Sequence, residues 1–205
     1  GRHHHLDPFD LAAFEAQDYD AVMPRYPIKA GDTVYVPGGV LHSFGPDTLI
    51  FEIQQTSDLG QSVMPTDLYG NQHSPEQWRA NIEATLAELR TEPLPEPNPG
   101  LARPSAEPGN TLVVGAAGPY FALERWTLTE PHHEPARPDR ALILANVGAP
   151  VVIRYDGGEE TLNRAESCII PAALGEFTII PGAEGASLIA CYVPDMQRDI
   201  IEPLR

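Results

Sequence analysis

Cysteine is nearly absent from this 205-residue chain: there are two, Cys168 and Cys191, each inside an apolar run. No Cys-x-x-Cys pair occurs, which excludes a thiolate zinc site or a thioredoxin-type centre. Both thiols are expected buried and reduced in strands, and that usage points to a cytoplasmic compartment. Positive charge is also scarce, with 13 Lys plus Arg against 29 Asp plus Glu and a net charge of −16. Such a field repels phosphodiester backbones and anionic lipid surfaces, so neither nucleic acid nor membrane is an expected partner. A small anionic ligand held by one or two local cations stays compatible with it. No window approaches the ~18 uninterrupted apolar residues of a membrane span. The start, Gly1-Arg2-His3-His4-His5, lacks the charged-then-apolar layout of a signal peptide. Gly1 in place of Met reads as a processing scar or as the start of a piece of something longer, and the motifs favour the second.

What the chain does have is punctuation. Twenty-two prolines and 17 glycines are more than a helical bundle tolerates, whereas many short strands joined by turns require them. The expected class is mainly β. Six prolines between Pro93 and Pro108 mark an extended linker. Before it, Ser74-Pro75-Glu76-Gln77 supplies an N-cap, a first-turn proline and a capping-box glutamine. A helix over about 75–90 should follow, with Trp78, Ile82, Leu86 and Leu89 forming its apolar stripe. After the linker, runs at 111–114, 120–128, 141–147, 151–155, 167–170, 177–180 and 187–193 read as strands, with a hairpin turn at Asp156-Gly157-Gly158. Seven or eight strands make one jelly-roll barrel. Before it, only 33–36 and 48–55 read as strands, and residues 10–23 as loop and weak helix capped by Asp10. The expected layout is therefore a half barrel over 1–62, a helix and linker over 63–108, and a complete barrel over 109–205. The open edges and apolar face of a half barrel need covering by a further N-terminal segment or by a second copy in a homodimer.

The sharpest local pattern is Gly31-Asp-Thr-Val-Tyr-Val-Pro37-Gly38-Gly39-Val-Leu-His42, a strand, a tight turn and a histidine entering the next strand. A neutral imidazole there serves as a divalent-metal ligand if further His or carboxylate groups converge on it, and otherwise as a half-buried histidine bonded to backbone. The spacing resembles the second motif of the cupins. Leu49-Ile-Phe-Glu52-Ile-Gln54-Gln55-Thr-Ser-Asp58 then resembles the Glu-x-Gln-Gln-x-Ser-Asp stretch of class I mannose-6-phosphate isomerases. Alternation places Glu52 and Gln54 on one strand face. The segments around Tyr120–Trp126, Ile143–Asn146 and Ile169–Thr178 are similar to the C-terminal domain of the same family, a cupin barrel without a metal, and Glu176 occupies the position of its motif histidine.

The resemblance implies two cupin barrels, the first incomplete here, and aldose–ketose isomerisation of a sugar phosphate assisted by zinc or another divalent metal. It implies His42 as a metal ligand, and Glu52, Gln54 and Asp58 as groups at the substrate. An arginine shortly after the Ser-Asp pair is also implied; that position is Ser62, and Arg25, Lys29 and Arg79 are the nearby cations that would have to replace it. A serine has no fixed charge with which to hold a phosphate or an enediolate. The alternative reading is a cupin that binds a sugar or sugar phosphate, or acts as a regulatory or assembly subunit, without turnover. His132-His133-Glu134, bracketed by Pro131 and Pro135, is expected as a solvated turn, and His3-His4-His5 as a tag remnant or flexible start.

Overall fold

The computed structural model describes residues 8–55, 60–90 and 96–205. His3, His4, His5 and Asp58 lie outside the described residues. The chain divides into two compact units. The first comprises Gly1–Ile28, Val34–Glu52 and Thr56–Pro97; the second comprises Lys29–Thr33, Ile53–Gln55 and Asn98–Arg205.

The first unit is organised by two helices, α1 (Pro8–Glu15) and α2 (Pro75–Glu88), with a single 3-10 turn at Tyr19–Ala21. The N-terminus of α2 forms as expected: the Ser74 hydroxyl accepts from the Gln77 N–H at 3.2 Å, and Pro75 takes the first helical position. The capping box is only half made, because the Gln77 amide donates forward to Asn81 at 2.9 Å. The stripe also behaves as expected. Ile82 and Leu86 are buried with Phe14 and Val63, and Trp78 and Leu89 are packed around them. The Trp78 indole N–H donates to the Val63 carbonyl at 2.8 Å, so this large ring packs without stranding its polar atom. Helix α1 begins at Pro8, two residues before the expected Asp10 cap. Proline lacks an N–H to leave unsatisfied and is pre-set in φ, so it opens the helix itself.

The expected strands at 33–36 and 48–55 are not built as ladders among the described residues. Thr33 makes an isolated bridge to Asn98, and 48–55 runs without a ladder. β propensity expresses itself through paired neighbours, and these runs have no strand beside them to complete the hydrogen bonds.

The second unit holds ten strands: β1 (Leu101–Arg103), β2 (Thr111–Ala117), β3 (Ala122–Leu128), β4 (His132–Glu134), β5 (Leu142–Asn146), β6 (Val151–Tyr155), β7 (Gly158–Leu162), β8 (Ser167–Ile170), β9 (Phe177–Pro181) and β10 (Ala186–Tyr192). They pair antiparallel in a six-stranded sheet, β1-β2-β3-β10-β5-β8, and a four-stranded sheet, β4-β9-β6-β7. Leu112, Trp126, Leu144 and Leu188 of the larger sheet and Val151, Ile153 and Ile179 of the smaller one share a single core. This is the expected jelly-roll barrel. The β6–β7 hairpin turns at Asp156-Gly157, with Gly157 at φ +97°, a conformation that a Cβ would strain.

Two expectations are corrected here. Strand β1 lies inside the stretch read as linker and pairs Leu101, Ala102 and Arg103 with Val114, Val113 and Leu112. Gly100 lets the chain enter that pairing, since a Cβ there would sit 2.5 Å from the Val114 carbonyl oxygen. Residues 132–134 are not a solvated turn but β4, paired with β9, and His132 and Glu134 are both buried. The bracketing prolines fall outside the three paired residues, where their missing N–H removes no ladder bond.

Candidate functional site

The segment that carries the resemblance folds into the turn its spacing requires. The Pro37 carbonyl accepts from the Val40 N–H at 3.3 Å, and Gly39 sits at φ +85°, the left-handed third position of a type II turn. The turn delivers His42 to an exposed position, with its ring edge-on to Phe44 and Nδ1 3.0 Å from the Val40 carbonyl oxygen. With Nδ1–H donating to that carbonyl, the lone pair falls on Nε2, the nitrogen free to ligate. In the next segment Ile53 is half-buried against Leu123, Ala145, Ile189 and Cys191, while Phe51, Glu52, Gln54 and Gln55 are all exposed, so the burial does not alternate as a strand's would. Ser62 is exposed, and its hydroxyl accepts from the Met64 N–H at 3.2 Å.

The cations that would replace the family arginine are differently engaged. Arg25 pairs with Asp20 at 2.6 Å, and Arg79 pairs with Glu83 and Glu15 at 3.3 and 3.4 Å. Lys29 contributes its backbone N–H to Asp32. Among the described residues no three His, Cys, Asp or Glu side chains come together as a metal site. Among the described residues His42 is therefore one candidate ligand rather than part of an assembled set.

The structure assembles a second constellation inside the barrel that sequence reasoning missed. Strand β3 turns Ala122, Glu124, Trp126 and Leu128 inward, so a carboxylate sits on an otherwise apolar face with no exposure to solvent. Three donors hold it: Arg103 Nε at 2.9 Å, the Trp126 indole N–H at 2.7 Å and the Tyr192 hydroxyl at 2.5 Å. Burial raises the Tyr192 hydroxyl, as does the Glu124 charge, so this phenol stays protonated and donates. Arg140 lies over the Tyr192 ring at 3.8 Å and pairs with the buried Asp199 at 2.7 Å. Arg198 reaches Asp199 at 2.8 Å and Asp139 at 2.7 Å. A single carboxylate, Glu124, on the otherwise apolar inward register of β3 was the signal that could have revealed this network.

His132 lies beside it, edge-on to Trp126, with Nε2 3.0 Å from Glu134 and Nδ1 3.2 Å from Glu107. Burial alone would push the imidazole down, but the hydrogen bonds and charges of the two carboxylates outweigh it and raise it above the ordinary value. Glu176, at the position of the missing motif histidine, is exposed and 4.0 Å from His133. Neither cysteine is poised for chemistry: burial raises Cys168, and burial with the Glu124 charge pushes Cys191 up to about 12.

A mainly β double-sheet barrel with a charged, hydrogen-bonded interior defines the class as a jelly-roll domain. Comparison with known proteins narrows it. Residues 114–190 match the family model described as mannose-6-phosphate isomerase, cupin domain. The putative mannose-6-phosphate isomerase YvyI of Bacillus subtilis (strain 168) is 28% identical over 164 residues, covering 79% of this chain and 50% of that protein. The probable mannose-6-phosphate isomerase GmuF of the same organism is 29% identical over 166 residues, covering 80% and 51%. A solved mannose 6-phosphate isomerase from Bacillus subtilis superposes with a TM-score of 0.46 at 16% identity, covering 62% of this chain and 37% of that one. Residues 114–190, which lie in the second unit, are thus similar to the cupin domain of mannose-6-phosphate isomerases. The chain spans about half the length of the curated relatives it matches.

Proposed function

We propose that this chain takes part in the aldose–ketose isomerisation of a sugar phosphate, mannose 6-phosphate to fructose 6-phosphate. The observation that carries the reading is the match of residues 114–190 to the isomerase cupin domain, joined to relatives that bear that name. In this reading residues 1–62 are the C-terminal half of a first, metal-type barrel, 63–108 its helix and connection, and 109–205 the second barrel. His42 offers Nε2 to a divalent metal, zinc or another, since its Nδ1 is already engaged with the Val40 carbonyl. Glu52 and Gln54, both exposed, meet the substrate hydroxyls together with Asp58 further along the sequence. The direct test is conversion of mannose 6-phosphate to fructose 6-phosphate by the metal-loaded protein. Turnover lost in His42→Ala is the expected result, and no turnover from the full-length protein overturns it. Elemental mass spectrometry after dialysis gives the companion measurement: about one metal per chain, lost in the same variant.

A second reading is favoured by one residue. Ser62 stands where the resemblance implies an arginine, and Arg25 and Arg79 are each engaged by carboxylates. A chain without that fixed charge is suited to hold a sugar phosphate without turning it over. Calorimetric binding of mannose 6-phosphate with no product formed selects this reading over the first.

A further inference from the structure

Although the chain carries a net charge of −16, four of its 13 cationic side chains line one cavity of about 80 Å³ in the second unit. These are Arg103, Arg137, Arg140 and Arg198; Trp126 and Tyr192 also line it, and the acidic side chains among its lining are Glu134 and Asp199. Most of the charge is internally spent. Arg103 is held by Glu124, Arg198 by Asp199 and Asp139, and Glu134 shares His132 with Glu107.

Two guanidinium nitrogens of the cavity lining are not satisfied. Arg137 Nε is buried with no hydrogen-bond partner, and Arg137 forms no side-chain ion pair with the described residues. Arg140 Nη1 is buried 2.7 Å from Asp199, yet it too lacks a partner in hydrogen-bonding geometry. A buried N–H without an acceptor costs about 1–3 kcal/mol, more on a charged group, and native proteins bury few of them. Pro135 and Pro138 flank Arg137 closely, which limits how far the backbone can move to relieve it.

We infer that this cavity binds the oxyanion of a small metabolite, a phosphoryl or carboxylate group received by Arg137 and Arg140. A guanidinium fork matches either group with paired hydrogen bonds, which an ammonium cannot do. A water needs about 10–15 Å³ of such space, so the cavity has room for a charged group of several atoms. Arg137, a cation without an ion pair to the described residues in a strongly acidic molecule, also makes the site selective: it attracts what the rest of the molecule repels. No residue of the His42 segment is in the cavity lining, and the assignment does not depend on the chain being an isomerase.

The test is calorimetric titration of the whole chain with inorganic phosphate, malonate, mannose 6-phosphate and mannose, with phosphorus NMR as a second readout. Oxyanions bind and mannose does not, and Arg137→Gln weakens binding at least about tenfold, equivalent to ~1.4 kcal/mol. Arg137→Lys, which keeps the charge but loses the fork, falls between the two, and Arg154→Gln, at an exposed arginine outside the cavity lining, binds like the unaltered chain. Near-ultraviolet circular dichroism establishes that each variant keeps its fold. Phosphate without malonate identifies a phosphoryl ligand, and malonate without phosphate a carboxylate ligand. No binding of any oxyanion at about 10 mM, equal binding by Arg137→Gln, or equal binding of mannose and its phosphate overturns the assignment. Turnover plays no part in the readout, so failure of the isomerase reading leaves this result standing.

Discussion

His132 couples the barrel to pH through two neighbours of opposite sign. Its folded value is raised, so its contribution to stability is fully present below the unfolded value of about 6.5 and is lost as pH rises through the folded value. Burial pushes Glu107 up, but hydrogen bonds from His132 and Ser105 outweigh it and hold the carboxyl below the usual range. Its contribution is present above about 4.3 and is lost as pH falls through the folded value. Urea unfolding followed across pH should therefore weaken on both sides of a mildly acidic optimum, and His132→Gln should flatten the alkaline limb. At the same scale, Cys191 is fully buried and its thiol is pushed up to about 12. Alkylation of the native protein near pH 8 should spare Cys191 while reaching the half-buried Cys168, and mass mapping of the modified peptide checks the order.

Among the elements, helix α2 was legible because local chemistry decides it: a cap, a first-turn proline and an apolar stripe all lie within a few residues of one another. Ser74→Ala should cost about 1 kcal/mol in the first unit, measured by denaturant unfolding with a probe on Trp78. The β6–β7 hairpin was legible for the same reason, since Gly157 must take a positive φ. Strand β4 was not, because its three residues have little β signal of their own and exist as a strand through pairing with β9. The converse holds for 48–55. That run has the alternation of a strand, but no ladder partner lies alongside it among the described residues. Asn146 shows how an element end is tied: its amide donates to the Ala149 and Leu162 carbonyls at 2.9 and 2.8 Å and accepts from Gly148 at 2.9 Å. Asn146→Ala should strand those groups and destabilise the barrel by about 1–3 kcal/mol, read from the shift in its unfolding midpoint.

At the scale of the molecule, the two sheets of the second unit are held by one core in which Trp126 is the largest fully buried side chain. Its replacement by alanine should cost about 3–5 kcal/mol, because the loss of buried surface is compounded by a void and by an indole bond withdrawn from Glu124. Retention of β-sheet circular dichroism with a lowered denaturation midpoint is the expected observation. The charge balance acts at this scale too. With an isoelectric point near 4.6, the chain should be least soluble close to that pH and most soluble in neutral buffer. Among the described residues no helix is long and apolar enough to cross a membrane.

Composition, turn chemistry and spacing were enough to reveal a mainly β chain with one capped helix, a barrel in its C-terminal part and a Pro-Gly-Gly turn presenting His42. Each of these rests on interactions between residues close in the sequence, so the one-dimensional pattern carries them. The interior of the barrel is a different matter. Glu124 meets Tyr192 from 68 residues away, Arg198 meets Asp139 from 59, and Arg137 and Arg140 come to line the same cavity as Arg103. No local rule connects those positions. The antiparallel register of β3 with β10, which sets Glu124 opposite Ala190 and Ala122 opposite Tyr192, turns Glu124 and Tyr192 toward one another. The same closure buries guanidinium nitrogens without acceptors, and burial is a property of the folded sheet pair that no stretch of sequence possesses.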